Sequence, residues 1–163
     1  MRHFRKTLIV AAAVALVSVL GIVFIGCPAA AEPLPYPLDL PKTGQTTSYE
    51  TGDDGDLQKG VAWPSPRFSD NGDGTVTDLL TGLMWTQDGD ASGTLEWGPA
   101  VSYCNSLDFA GHQDWRLPNI KELQSLINFE VDGNNSWLNS NGFIEVQASE
   151  YWSSTTDGYD TSS

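Results

Sequence analysis

The sequence predicts an α+β domain, on three observations. Short strand-like runs flank Asn-Gly and Asp-Gly turns in its first half. The apolar spacing then changes to a helical period, and a short strand-like run returns near the end. The expected architecture is two helices with short antiparallel strands and long loops.

The first strands come from "RFSDNGDGTVTDLLTGLMW", Arg67 to Trp85. Asn71-Gly72 and Asp73-Gly74 are residues that tolerate positive φ, as a tight hairpin requires. Phe68 before the turn and Val76 after it would pack on the paired strands. "GTVTD" and "GLMW" then read as two strands joined by the turn "LTG". A calcium loop is the competing reading, with Asp70, Asn71 and Asp73 as ligands. An EF-hand register puts Ser69, Asn71, Asp73 and Gly74 at positions 1, 3, 5 and 6. Position 12 is then Leu80, which cannot ligate, and position 1 lacks its carboxylate. The turn is the better fit; Ca2+ is retained as the alternative, and no other cofactor is expected. The remaining acidic groups (Asp53, Asp54 and Asp56; Asp88 and Asp90; Asp132 with Asn134 and Asn135) read as solvated turns.

Helices follow. Trp97, Ala100, Val101, Cys104 and Leu107 form a stripe at helical spacing, with Pro99 in the first turn and Gly111 past the end. Asn119, with Glu122 three residues on, predicts a capped second helix whose buried face is Ile120, Leu123, Leu126 and Ile127. "VDGNNSWLNSNG" reads as a loop and "EYWSST" as a strand. Upstream, residues 43–68 read as short β-prone runs between glycine turns.

The N-terminus is of another kind. Arg2, Arg5 and Lys6 precede an uncharged apolar run from Leu8 to Cys27. That order predicts an export signal over residues 1–31, with cleavage after Ala31. "FIGC" offers a second exit, a lipoprotein signal ending before Cys27, which would carry the lipid. A retained membrane anchor is the third reading. All three place the protein outside the cytoplasm of a bacterium: secreted, periplasmic or envelope-anchored. Residues 32–42 are a Pro-rich linker, and residues 43–163 form the domain. The polar end after "YWSST" predicts a domain lacking its final strands.

Loss of Arg2, Arg5 and Lys6 leaves five Lys and Arg against 21 Asp and Glu, a net charge of −16. Such a surface repels nucleic acid and anionic lipid, so contact with membrane is expected only through the N-terminal segment or a lipid. Cys104, on an apolar helix face, reads as a buried thiol or half of a disulfide. No histidine motif accompanies it as a base, so no catalytic constellation is expected. Trp85, Trp97, Trp115 and Trp152 read as core. Trp63 and Trp137 lie in loops, where an indole can stack on a sugar while Asn134 and Asn135 bind hydroxyls. These four are the candidate ligand-binding residues. Arg116 can pair with Asp114 or with an incoming carboxylate, and reads as a loop pin.

"RFSDNGDGTVTDLLTGLMW", "AVSYCNSL", "GHQDWRLPNIKELQSLIN" and "YWSST" together resemble the C-terminal domain family of the Legionella collagen-like (Lcl) protein, from about Thr43 to Thr156. The resemblance implies a C-type-lectin-like fold in an exported protein, and an adhesin-like role in binding sulfated polysaccharides. It also implies a later cysteine as partner for Cys104. With so few basic residues, a neutral sugar or a calcium-bridged ligand is physically easier than a sulfated one. "WRLPNIKEL" is also similar to the helix entry of formylglycine-generating proteins, but that chemistry needs a reactive cysteine pair. The expected function is therefore a non-catalytic recognition module for an extracellular or envelope polysaccharide. The alternative is a structural or protein-binding envelope domain.

Overall fold

The computed structural model describes residues 5–6, 10–11 and 40–156. Most of the expected export signal, including Cys27, and residues 32–39 of the Pro-rich linker therefore lie outside the described residues.

The observed class is α+β. In chain order the elements are β1 (Arg5–Lys6), β2 (Val10–Ala11), α1 (Asp54–Leu57), β3 (Phe68–Asp70), β4 (Thr75–Asp78), β5 (Met84–Thr86), β6 (Thr94–Leu95), α2 (Trp97–Asn105), β7 (Trp115–Arg116), α3 (Ile120–Ser125) and α4 (Asn134–Asn139). Five strands form one antiparallel sheet in the order β3-β4-β5-β2-β7, and β1 pairs separately with β6.

The β3–β4 hairpin forms as its turn residues predict. Asp70 stands opposite Val76, and the Asn71 amide donates to the Thr75 carbonyl at 3.1 Å. Gly72 and Gly74 both have positive φ, +77° and +88°. At Gly74 space adds a second constraint, because a Cβ there would sit 2.8 Å from the Phe109 ring.

Two apolar clusters lie on opposite faces of the sheet. Phe68, Val76, Trp85, Leu126, Leu138, Phe143 and Val146 form the first. Cys104, Trp115 and Leu117 form the second, with Met84, Trp97, Val101, Leu107, Phe109 and Trp152 packed against it. Adjacent strand residues point to opposite faces, so Trp85 enters one cluster and Met84 the other. Helix α2 covers the second face with Ala100 and Cys104 buried, and α3 and α4 lie at the first. The stripe expected for α2 is present. The helix ends at Asn105, however, so Leu107 packs from the turn beyond it.

Helix α3 carries the full capping box. The Asn119 side chain accepts from Lys121 and Glu122, and the Glu122 carboxylate accepts from the Asn119 amide at 2.7 Å. Its expected buried face needs correction at Ile120, which is 41% exposed. This first-turn residue lies outside the cluster that Leu123 and Leu126 join. Arg116 pairs with Glu122 rather than Asp114, through two bonds of 2.8 and 2.6 Å. The pair holds the Glu122 carboxyl below its usual range and ties β7 to α3.

Three further expectations fail. The Asn-rich segment is not all loop, because α4 forms within it, buries Leu138 and packs Trp137 on the first cluster. Tertiary packing overrides the weak helix propensity of Asn and Ser there. Residues 43–68 contain the short helix α1 before β3 begins. Asp53 caps α1, and only glycine fits at position 55, because a Cβ there would fall 2.0 Å from the Thr47 carbonyl oxygen. Finally, "EYWSST" is reduced to a bridged residue at Tyr151.

Loop 43–58 is clasped to the segment after α3. The Glu130 carboxylate accepts from the amides of Thr46 and Thr47 at 2.6 and 2.9 Å, and from the Thr47 hydroxyl. The Thr47 hydroxyl leads in holding its pKa at about 2, below an ordinary 4.5. A folded-state pKa below the unfolded one gives stability that is present above 4.5 and lost as pH falls toward 2. Urea titrations of wild type and Glu130→Gln should therefore differ at pH 6 and converge by pH 2. A pH-independent difference would show that the carboxylate charge is not what the clasp uses.

Candidate functional site

A half-open cleft of about 320 Å³ is bordered by α3, α4 and the segment 146–151. Its floor is apolar: Leu123, Leu126, Ile127, Leu138 and Val146. Its polar groups are Asn134, Asn135, Gln147, Ser149 and Tyr151. Among the described residues no Lys, Arg, Asp or Glu lines it.

The local chain explains how these groups stand. The Asn134 side chain accepts from the Asn128 amide at 2.6 Å and donates to the Asn128 carbonyl at 3.2 Å. It thereby fixes the start of α4. The Asn135 side chain, one residue on, makes no hydrogen bond to the protein among the described residues, so its amide is free for a ligand. The Tyr151 hydroxyl accepts from the Gln147 amide at 2.9 Å, which sets the far wall. Asn139 closes the base of that wall through bonds to the Val146 carbonyl and amide, at 3.0 and 2.9 Å.

Of the four expected ligand-binding residues, the structure brings Asn134 and Asn135 into this cleft. Trp63 and Trp137 meet elsewhere, with ring centroids 5.7 Å apart. The Arg67 guanidinium lies 4.2 Å from the Trp63 ring centroid and 5.9 Å from that of Trp137. The Trp63 indole N–H donates to the Lys42 carbonyl at 2.8 Å, anchoring the N-terminal loop. Beneath this stack, Arg67 and Asp78 form a buried ion pair with bonds of 3.2 and 3.0 Å. Asp78 also accepts from the Leu80 amide and the Thr81 hydroxyl, and Arg67 donates to the Ser125 carbonyl.

The three residues weighed as calcium ligands serve the hairpin. Asp70 accepts from the Gly72 amide at 2.8 Å, and Asp73 from the Thr75 amide and hydroxyl at 3.0 and 2.6 Å. The Thr75 hydroxyl leads in holding the Asp73 carboxyl below its usual range. Asn71 bonds the hydroxyls of Thr75 and Thr77. Among the described residues no group of three or more His, Cys, Asp or Glu side chains is placed to hold a metal ion.

Cys104 is a free, fully buried thiol. Burial pushes its pKa up to about 12 from an ordinary 9, which lowers the thiolate fraction at neutral pH roughly a thousandfold. Native-state alkylation should be slower than alkylation in denaturant by at least that factor. Labelling within minutes under native conditions would show a reactive thiol instead.

The floor of the cleft was not visible as a site in the sequence. Leu123, Leu126 and Ile127 carry the ordinary signal of a buried helix face, and Val146 to Tyr151 show no motif. The one available signal was the pairing of Asn134 and Asn135 with Leu138 a helical turn later.

Neither the search of curated proteins nor that of solved structures finds a match. The family model described as the Lcl C-terminal domain matches residues 74–163. That interval is more than half of the 163 residues, and it holds β4, β5, the α2 stripe, the capped α3 and the cleft. By this match the chain belongs to the Lcl C-terminal domain family.

Proposed function

We propose that this protein is an exported, non-catalytic recognition module that binds a neutral, N-acetylated sugar in the cleft between α3 and α4. The observation that carries this reading is the cleft's chemistry: an aliphatic floor beside an uncommitted Asn135 side-chain amide, with no charged lining residue among those described. Small-ligand sites are mostly apolar concavities with a few placed polar groups, and about 300 Å³ is the lower end of their size. An acetamido methyl can rest on Leu123, Leu126 and Leu138 while its amide meets Asn135. The hydroxyls then face Gln147, Ser149 and Tyr151. Membership in the Lcl C-terminal domain family supports a binding role, and we assign the domain a C-type-lectin-like fold on the same ground.

The acidic surface disfavours a sulfated polymer, because fixed anions repel one another across a shared interface. A glycan array probed with and without chelator tests the proposal. N-acetylated neutral glycans should bind equally in both conditions. Asn135→Ala should weaken them about tenfold, the effect of losing roughly 1.4 kcal/mol. Absence of any glycan signal would leave the structural or protein-binding envelope role. Binding abolished by chelator would move the site to a cation.

A further inference from the structure

A smaller cavity, of about 210 Å³, lies across the sheet from the sugar cleft. Tyr103, Leu107 and Phe109 line it and pack on the second apolar cluster, whereas the floor of the cleft packs on the first. The sugar reading leaves this cavity unused.

Its walls are held by the protein itself. At the hairpin, the Gly74 carbonyl accepts from the Gln87 amide at 2.8 Å. Asp88 bridges to Ile144, and its main-chain carbonyl accepts from the buried Thr86 hydroxyl at 3.2 Å. Tyr103 is carried by α2. Phe109 is fixed from three directions. It exchanges main-chain bonds of 3.1 and 3.0 Å with His112, its carbonyl takes the Trp115 indole N–H at 3.0 Å, and its ring lies 6.0 Å from that of Trp115. A site assembled in advance loses little freedom when a ligand enters.

The lining selects a charge. Asp88 is the one Asp, Glu, Lys or Arg among the described lining residues. One oxygen of its carboxylate accepts from the Asp90 amide at 2.8 Å, and the other makes no hydrogen bond to the protein among the described residues. That oxygen stands in a cavity with two aromatic rings, and aromatic faces attract cations. The net charge of −13 over the chain draws cations and repels anions. A neutral ligand would cover the carboxylate without compensating it. The volume is below the roughly 300 Å³ at which sites for drug-sized ligands begin. It suits a head group rather than a whole molecule.

We propose that this cavity is a second binding site, specific for the ammonium head group of an organic cation. Asp88 supplies the counter-charge, and the rings of Tyr103 and Phe109 supply the walls.

Backbone amide shifts of the isotope-labelled full chain, titrated with choline chloride, test this. Saturable shifts should centre on Gly74, Asp88, Tyr103 and Phe109. The uncharged isostere of choline, with carbon in place of the ammonium nitrogen, should bind about tenfold more weakly. Asp88→Asn keeps an acceptor for the Asp90 amide while removing the charge, and should lose a similar factor. Tyr103→Leu should weaken choline, and Tyr103→Phe should not, because the ring is retained. Equal binding of choline and its isostere would mean simple filling of an apolar hole and would overturn the proposal. The same shifts from sodium chloride at equal ionic strength would mean screening of the acidic surface, with the same consequence. Absence of saturable shifts, or shifts centred on the α3–α4 cleft, would also refute it. If Asp88→Asn does not fold, the comparison of choline with its isostere on the unaltered chain decides. Choline binding without any glycan binding would keep this site and remove the sugar reading, so the two proposals fail separately.

Discussion

Asp78→Asn should lower the unfolding free energy by about 3–5 kcal/mol, the usual cost of breaking a buried ion pair from one side. The substitution keeps the shape and removes the charge. It leaves the Arg67 guanidinium, 3% exposed at its side chain, facing an amide that cannot neutralise it. The loss extends past the pair. Asp78 also fixes the β4–β5 turn through Leu80 and Thr81, and Arg67 bonds the end of α3 at Ser125. Replacing both charges by apolar groups, as in Arg67→Met with Asp78→Leu, should recover part of the loss, because no orphan charge then remains. Urea denaturation of the three variants measures this. A loss below about 1 kcal/mol for Asp78→Asn would mean that water reaches the pair.

Trp85→Ala should cost about 3–5 kcal/mol through the cavity it leaves. Trp85 is fully buried at the centre of the first cluster, on the strand that pairs with both β4 and β2. Its indole N–H has no acceptor among the described residues. Trp85→Phe should therefore cost less than half as much, since it fills most of the space and removes an unsatisfied donor. For a domain near this size the alanine variant should melt about 15–25 °C lower. Equal losses for Phe and Ala would show that the N–H has a partner after all.

The features legible in the sequence are those fixed by neighbouring residues. The hairpin at Asn71 to Gly74 follows from backbone freedom and side-chain turn bonds within five positions. The capping box at Asn119 and Glu122 follows from a spacing of three, and the α2 stripe from its period. What escaped is non-local. Helix α4 exists because Trp137 and Leu138 find partners on Phe68 and the first cluster. Its own residues read as a loop. Arg67 and Asp78 look like unremarkable strand-end charges until the fold buries them. The cleft joins segments some twenty residues apart, so only Asn134 and Asn135 could be named in advance. The pairing of Val10–Ala11 with β5 and β7 has no signal in the sequence and required the assembled sheet.

The Arg67 cation also bears on timing. It meets Asp78 at a separation of 11 residues, but Ser125 lies 58 residues away and Trp137 further still. During synthesis the first contact can form early, while the cation's remaining neighbours have not yet been made. Bringing distant segments together is the slow part of acquiring a native topology. Full burial of the Arg67 cation therefore waits on contacts made across 58 residues or more.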